Sequence, residues 1–155
     1  MAERGKSVPE EVKTSRVVID ASGLIVGRLA SHVAKRVLTG EEVIVINAEK
    51  TVISGSRAYI MENFKKHLTT KTHGSQDKAP KHPRRPDNYV RRVVRGMLPW
   101  KEPKGKSAYR RLKVYIGLPA GLKTPAQTIP EAKKDIRPSM TVGELMELFG
   151  WKKPQ

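Results

Sequence analysis

Hydrophobic positions along this chain switch between short continuous runs and helical stripes, and each switch marks an element. Residues 16–21, Arg-Val-Val-Ile-Asp-Ala, form a β-branched run closed by Ser22 and Gly23, which predicts a buried strand. Ala30, Val33, Ala34, Val37 and Leu38 then share one helical face, and Gly40 is placed to end that helix, over about 27–39, in the left-handed conformation. Residues 42–47, Glu-Val-Ile-Val-Ile-Asn, are more continuously aliphatic, as in a parallel strand with helices over both faces. Together these segments predict a βαβ unit, right-handed by the general rule.

A short third strand is expected over 50–54, followed by a helix that Ser56 caps and that buries Ile60, Met61, Phe64 and Leu68. Residues 69–86 place Lys71, Lys78, Lys81, Arg84, Arg85, His73 and His82 among Gly74, Pro80, Pro83 and Pro86, which reads as an extended loop without a core of its own. Asp87 offers an N-cap to the next helix. In that helix Val90, Val93, Val94, Met97 and Leu98 make the apolar stripe while Arg91, Arg92 and Arg95 face elsewhere, and Pro99 stops it. After a Lys/Gly-rich turn, residues 107–112 predict a helical turn and 113–118 a last strand. Prolines 119, 125, 130 and 138 break the segment 119–138, which is expected to run over the surface. Thr141 and Glu144 then form a capping box for a short helix with Val142, Leu145, Met146 and Phe149 on its apolar side and Gly150 at its end.

The pattern gives an α/β fold in a single domain: a central, mainly parallel sheet of about four strands covered by helices, with a long basic loop and a short C-terminal helix. A flexible N-terminal segment (1–14) is expected before the domain (15–150), and a tail (151–155) after it. A chain of 155 residues needs no second domain, and at 37% hydrophobic it can form a core. Cysteine is absent, which removes disulfides, thiolate metal sites and a cysteine nucleophile. The polar N-terminal stretch and the lack of any long apolar run speak against secretion and membrane spanning.

Charge changes the picture more than composition does. Residues 65–113 hold sixteen Lys or Arg against Asp77, Asp87 and Glu102, so +13 of the net +16 sits there. A solubilising face would mix signs, because crowding one sign costs self-repulsion, so this patch implies a polyanionic partner. The candidate RNA-binding residues are Lys65, Lys66, Lys71, His73, Lys78, Lys81, His82, Arg84, Arg85, Arg91, Arg92, Arg95, Lys101, Lys104, Lys106, Arg110 and Arg111. Aromatics make up only 5% of the chain and the aromatic signature of RNA-recognition motifs is missing, so backbone and shape recognition of folded RNA suits these residues best.

Other chemistry is weaker. The turn Gly23-Leu-Ile-Val-Gly27-Arg28 between strand and helix resembles a phosphate turn, but lacks both the Gly-Lys-Ser/Thr ending and dinucleotide spacing. His67, His73 and His82 are irregularly spaced and have no carboxylate pair to complete a metal shell; they either contact bases or belong to a solvated loop. Glu131 with Asp135, and Glu144 with Glu147, read as surface charge, and no nucleophile stands beside a base. No catalytic residue, cofactor, metal or small-molecule substrate is expected.

Several motifs in order carry a family resemblance: Val17-Val-Ile-Asp-Ala-Ser-Gly-Leu-Ile-Val-Gly-Arg-Leu-Ala30, Val45-Ile-Asn-Ala-Glu-Lys50 with Ile53-Ser-Gly55, Arg92-Val-Val-Arg-Gly-Met-Leu-Pro99, and Tyr109-Arg-Arg-Leu-Lys-Val-Tyr-Ile-Gly117. The chain resembles the ribosomal protein L13 family of the large subunit from about residue 15 to 150. Trp100 after Leu98-Pro99, and Ala108-Tyr-Arg-Arg-Leu112, resemble the archaeal and eukaryotic branch, and the short C-terminus the archaeal one. The resemblance implies a non-enzymatic, cytoplasmic constituent of the large ribosomal subunit, partnered by large-subunit ribosomal RNA and neighbouring ribosomal proteins. It also implies that Arg95-Gly-Met-Leu-Pro99 belongs to the RNA-facing surface. The alternatives are an mRNA- or DNA-binding regulator using the same basic face, and a nucleotide-binding enzyme using the turn at 23–28.

Overall fold

The computed structural model describes residues 15–71, 73–122, 126–133 and 138–153. Three strands, β1 (Arg16–Asp20), β2 (Glu42–Ile46) and β4 (Leu112–Val114), form a parallel sheet in the order β1-β2-β4. The third strand of the chain, β3 (Val52–Ser54), lies outside that sheet and pairs antiparallel with β5 (Ser139–Thr141). The architecture is thus the expected mixed α/β domain, with its central sheet three-stranded and the third expected strand diverted into a separate two-stranded one.

Alternation in the strands sorts their side chains between two faces. Ile19, Val43, Val45, Leu112 and Val114 face the main core, against α1 (Val26–Thr39), α3 (Pro86–Gly96) and α4 (Pro103–Arg110). Val18, Ile44 and Ile46 face the other way, and there, among the described residues, Leu122 packs on the cluster in place of the expected helical layer. The aliphatic run of β2 therefore reflects burial on both sides, as expected, but among the described residues helices cover one side.

A second cluster joins α2 (Arg57–Thr69), β5 and α5 (Val142–Leu148) through Ile60, Phe64, Met140, Val142, Leu145 and Met146. Helix α3 spans both clusters, because Val90 and Val94 enter the first while Tyr89 packs on the second. Tyr89 meets Phe64 edge-on at 6.2 Å, and Phe149 meets Phe64 at 4.9 Å. Trp151, expected in a tail, packs on this cluster and donates its backbone N–H to Met146 O.

Three helix ends follow the sequence expectations. Gly40 takes φ 108° and its N–H returns to Arg36 O. The Ser56 hydroxyl accepts from Tyr59 N, and Thr141 and Glu144 complete the capping box of α5. Helix α3 differs: Pro86 occupies its first turn, Arg85 is the N-cap residue, and Asp87 lies inside the helix. Proline at the first helical position has no N–H to satisfy and a φ already set for the helix, so it displaces Asp87 from the capping role. Helix α4 also begins earlier than expected, at Pro103 by the same device, and takes in the Lys/Gly-rich turn.

The segment 119–138 is not confined to the surface. Gln127 donates its backbone N–H to Val18 O and its carbonyl accepts from Asp20 N, covering the outer edge of β1. Ile129 and Ala132 are buried in the main core. An open strand edge is a template for unwanted pairing, and this segment closes it. The N-terminal segment expected at 1–14 lies outside the described residues.

Candidate nucleic-acid interface

The C-terminal half of α3, the turn at Trp100 and the last turn of α4 come together through cations and aromatic rings. Pro99 interrupts the chain between them, so Trp100 folds back towards α3. The Arg95 guanidinium lies 4.0 Å from the centre of the Trp100 ring, and that of Arg91 lies 4.9 Å from the Tyr109 ring. Trp100 and Tyr109 meet at right angles, 5.2 Å apart. The four side chains form a continuous stack, Arg95-Trp100-Tyr109-Arg91, in which electron-rich ring faces attract the cations. Arg91 Nε is buried without a hydrogen-bond partner among the described residues, so a ring rather than a carboxylate holds this guanidinium.

Of the expected helix face, Arg92 is exposed, whereas Arg91 and Arg95 are half-buried. Arg92, Arg95, Gly96, Leu98 and Trp100 line a shallow depression of about 290 Å³. Lys101, Lys104, Lys106 and Arg110 are exposed on and before α4. Arg111 differs from its neighbours, donating to Val37 O at 3.2 Å near the end of α1. There a cation meets the negative end of the helix dipole, so its first role is to hold α1 against β4.

The basic loop supplies a second group. Lys71, Lys78, Lys81 and Arg84 are exposed, as is His73. Arg85 instead makes two hydrogen bonds to Asp87, Nε to Oδ1 at 3.2 Å and a terminal nitrogen to Oδ2 at 3.1 Å. On α2, Lys65 is exposed, and Lys66 pairs with Glu62 one turn earlier at 2.9 Å. Hydrogen bonding to that carboxylate raises the Lys66 pKa from its ordinary value. The loop returns onto α2, where the His82 and His67 rings sit 5.3 Å apart. Burial, with the nearby charges of His67 and Arg92, holds His82 below the usual histidine range.

The turn at 23–28 is occupied by the protein itself. Gly23 N donates to Lys50 O, Leu24 N to Ala21 O and Ile25 N to Ala132 O, each within 3.1 Å. Arg28 reaches Glu131 O at 3.2 Å. These three amides join the β1–α1 turn to the chain around it, ahead of the first residue of α1 at Val26.

Sequence reading missed Trp100 and Tyr109 as supports for the arginines. Their spacing matches no helical or strand period, since a proline break lies between Trp100 and α3; the available signal was two aromatics within a basic stretch poor in them.

The fold and its charge define a basic α/β protein whose cations are mounted on a loop, a helix face and a short second helix. The Ribosomal protein L13 family model matches residues 14–120. The large ribosomal subunit protein uL13 of Methanococcus maripaludis is 44% identical over 137 residues, covering 88% of this chain and 98% of that protein. That of Methanosarcina barkeri is 50% identical over 121 residues, 77% of this chain and 84% of that protein. That of Methanococcoides burtonii is 53% identical over 102 residues, 66% and 71% respectively. This chain belongs to the ribosomal protein L13 family, of archaeal type.

Proposed function

We propose that the chain binds large-subunit ribosomal RNA through Lys71, Lys78, Lys81 and Arg84 of the loop, Arg92 and Arg95 of α3, and Lys101, Lys104, Lys106 and Arg110 at α4. Family membership makes it a structural constituent of the large ribosomal subunit, in the cytoplasm, and not an enzyme. RNA and other ribosomal proteins are its partners there. The carrying observation is the stack of Arg91, Tyr109, Trp100 and Arg95. Free arginines lose rotamer freedom when they bind phosphate; guanidinium groups already fixed on rings lose less. Arg85 and Lys66, exposed but paired with Asp87 and Glu62, and Arg111, bonded to Val37 O, contribute less than the basic residues beside them.

Affinity for large-subunit ribosomal RNA fragments, compared with duplex DNA at matched salt, tests this reading. Preference for the ribosomal RNA is expected; equal affinity would count against it and favour a general nucleic-acid regulator.

A further inference from the structure

Beside the basic loop, a groove of about 400 Å³ opens between α2 and α3. Its floor is apolar, made by Ile53, Ile60, Phe64 and Leu145. Its rim is polar: Asn63, Ser54, His67, His82 and Arg92. Tyr59 stands at the edge with 65% of its surface exposed, an unusual position for a large aromatic side chain. Tyr89 forms part of the inner wall, its ring fixed edge-on against Phe64.

We propose that this groove receives one unstacked nucleobase of the bound RNA, stacked on Tyr59, with Asn63 at its hydrogen-bonding edge and Arg92 on the adjoining phosphate. The inference rests on the RNA-binding reading and deepens it, adding recognition of a base to recognition of the backbone. A nucleobase is flat and apolar on both faces, polar along its edge and attached to an anion. The groove offers the complement of each part: an aromatic wall, an amide, and a guanidinium at the mouth. Recognition of single-stranded RNA commonly takes this form, with splayed bases stacked on aromatic side chains. An apolar side chain from a neighbouring protein would fill the floor but leave the cation and the two imidazoles without a purpose. His82 is held towards its neutral form, in which one ring nitrogen donates and the other accepts, as the edge of a base requires.

The test uses the full chain and two probes of equal charge and about ten nucleotides, single-stranded oligoadenylate and an abasic ribose-phosphate strand. Oligoadenylate is expected to bind about tenfold more tightly, and Tyr59→Ala to remove that advantage while leaving the salt slope unchanged. Asn63→Leu should lower oligoadenylate affinity and spare the abasic strand. Because Tyr59 and Asn63 are exposed, neither change should unfold the protein. If the abasic strand binds with a steep salt slope and bases add nothing, the groove proposal fails while phosphate binding stands. If neither probe nor ribosomal RNA binds at low salt, the RNA-binding reading itself fails. If Tyr59→Ala weakens incorporation into large subunits at unchanged affinity for oligoadenylate, the groove belongs to a protein neighbour and the proposal is overturned.

Discussion

Arg95 lies over the face of Trp100, its guanidinium carbon 4.0 Å from the ring centre, although Pro99 separates the helix of one from the turn of the other. The relationship turns an aromatic side chain into part of a charged surface. Trp100→Ala leaves the net charge unaltered but releases Arg95 and takes away the ring against which Tyr109 packs. Given the usual worth of an exposed cation–π contact, RNA affinity is expected to fall about two- to fivefold, with an unchanged salt slope. Trp100→Phe should recover part of the loss. Filter binding of both variants at one salt concentration checks this.

Gly105 sits inside α4, where alanine would ordinarily stabilise the helix by up to about 1 kcal/mol. Here a β-carbon would fall 2.1 Å from Pro99 O and 2.5 Å from Pro99 C. Backbone must move to admit it. Gly105→Ala is expected to destabilise the fold by about 1–3 kcal/mol, opposite in sign to the propensity. Urea denaturation gives the answer directly, and a stabilised variant would show that α4 packs less closely on Pro99.

Asp20 Oδ1 accepts from Ser22 N at 3.0 Å, Ser22 Oγ at 2.8 Å and Asn47 Nδ2 at 2.9 Å, tying the ends of β1 and β2 together. Asn47 holds a left-handed φ of 54°, which its side-chain bond to Asp20 helps to fix. Burial pushes the Asp20 carboxyl up, but hydrogen bonds from Asn47 and Ser22 and the charge of Lys50 outweigh it, so the pKa lies below the ordinary 3.8. Its stabilisation is therefore complete above that value and is lost as pH falls through the lower folded one. Asp20→Ala should cost about 2–3 kcal/mol near neutral pH, with a smaller cost under acid conditions, as measured by denaturation at several pH values.

His82 has the opposite proton linkage from a histidine that gains an anionic partner. Its folded pKa is lowered from the ordinary 6.5, so the unfolded chain binds the proton more readily. Its contribution to stability is present above 6.5 and declines as pH falls from there through the folded value. Thermal unfolding from about pH 7.5 to about 5.5 should show a decrease that His82→Gln makes shallower. An identical pH dependence in the variant would refute this assignment.

Local chemistry was legible in the sequence where a single residue type solves a single problem. Gly40, Ser56 and the Thr141/Glu144 pair announce helix ends because only a few side chains meet unpaired backbone groups there. The placement of Val52–Ser54 was not legible, since its partner Ser139–Thr141 comes from far along the chain and three residues carry too little pattern to choose a sheet. The basic patch was visible as charge, but its division was not. Arg92 and Lys104 stay exposed, Arg85 is exposed but paired with Asp87, and Arg111 turns inward to Val37. All are the same kind of residue to a composition count, and the difference arises from neighbours that only folding brings near.

The most direct test of the central claim is the affinity of the full chain for large-subunit ribosomal RNA, followed from about 50 to about 200 mM salt. With about six to ten phosphates neutralised, affinity should fall on the order of a thousandfold or more across that range. Replacing Arg84 and Arg92 together by glutamine should lower the logarithmic salt slope by about two, one for each phosphate contact removed. A nearly flat salt response, or a slope unchanged in the double variant, would contradict the account.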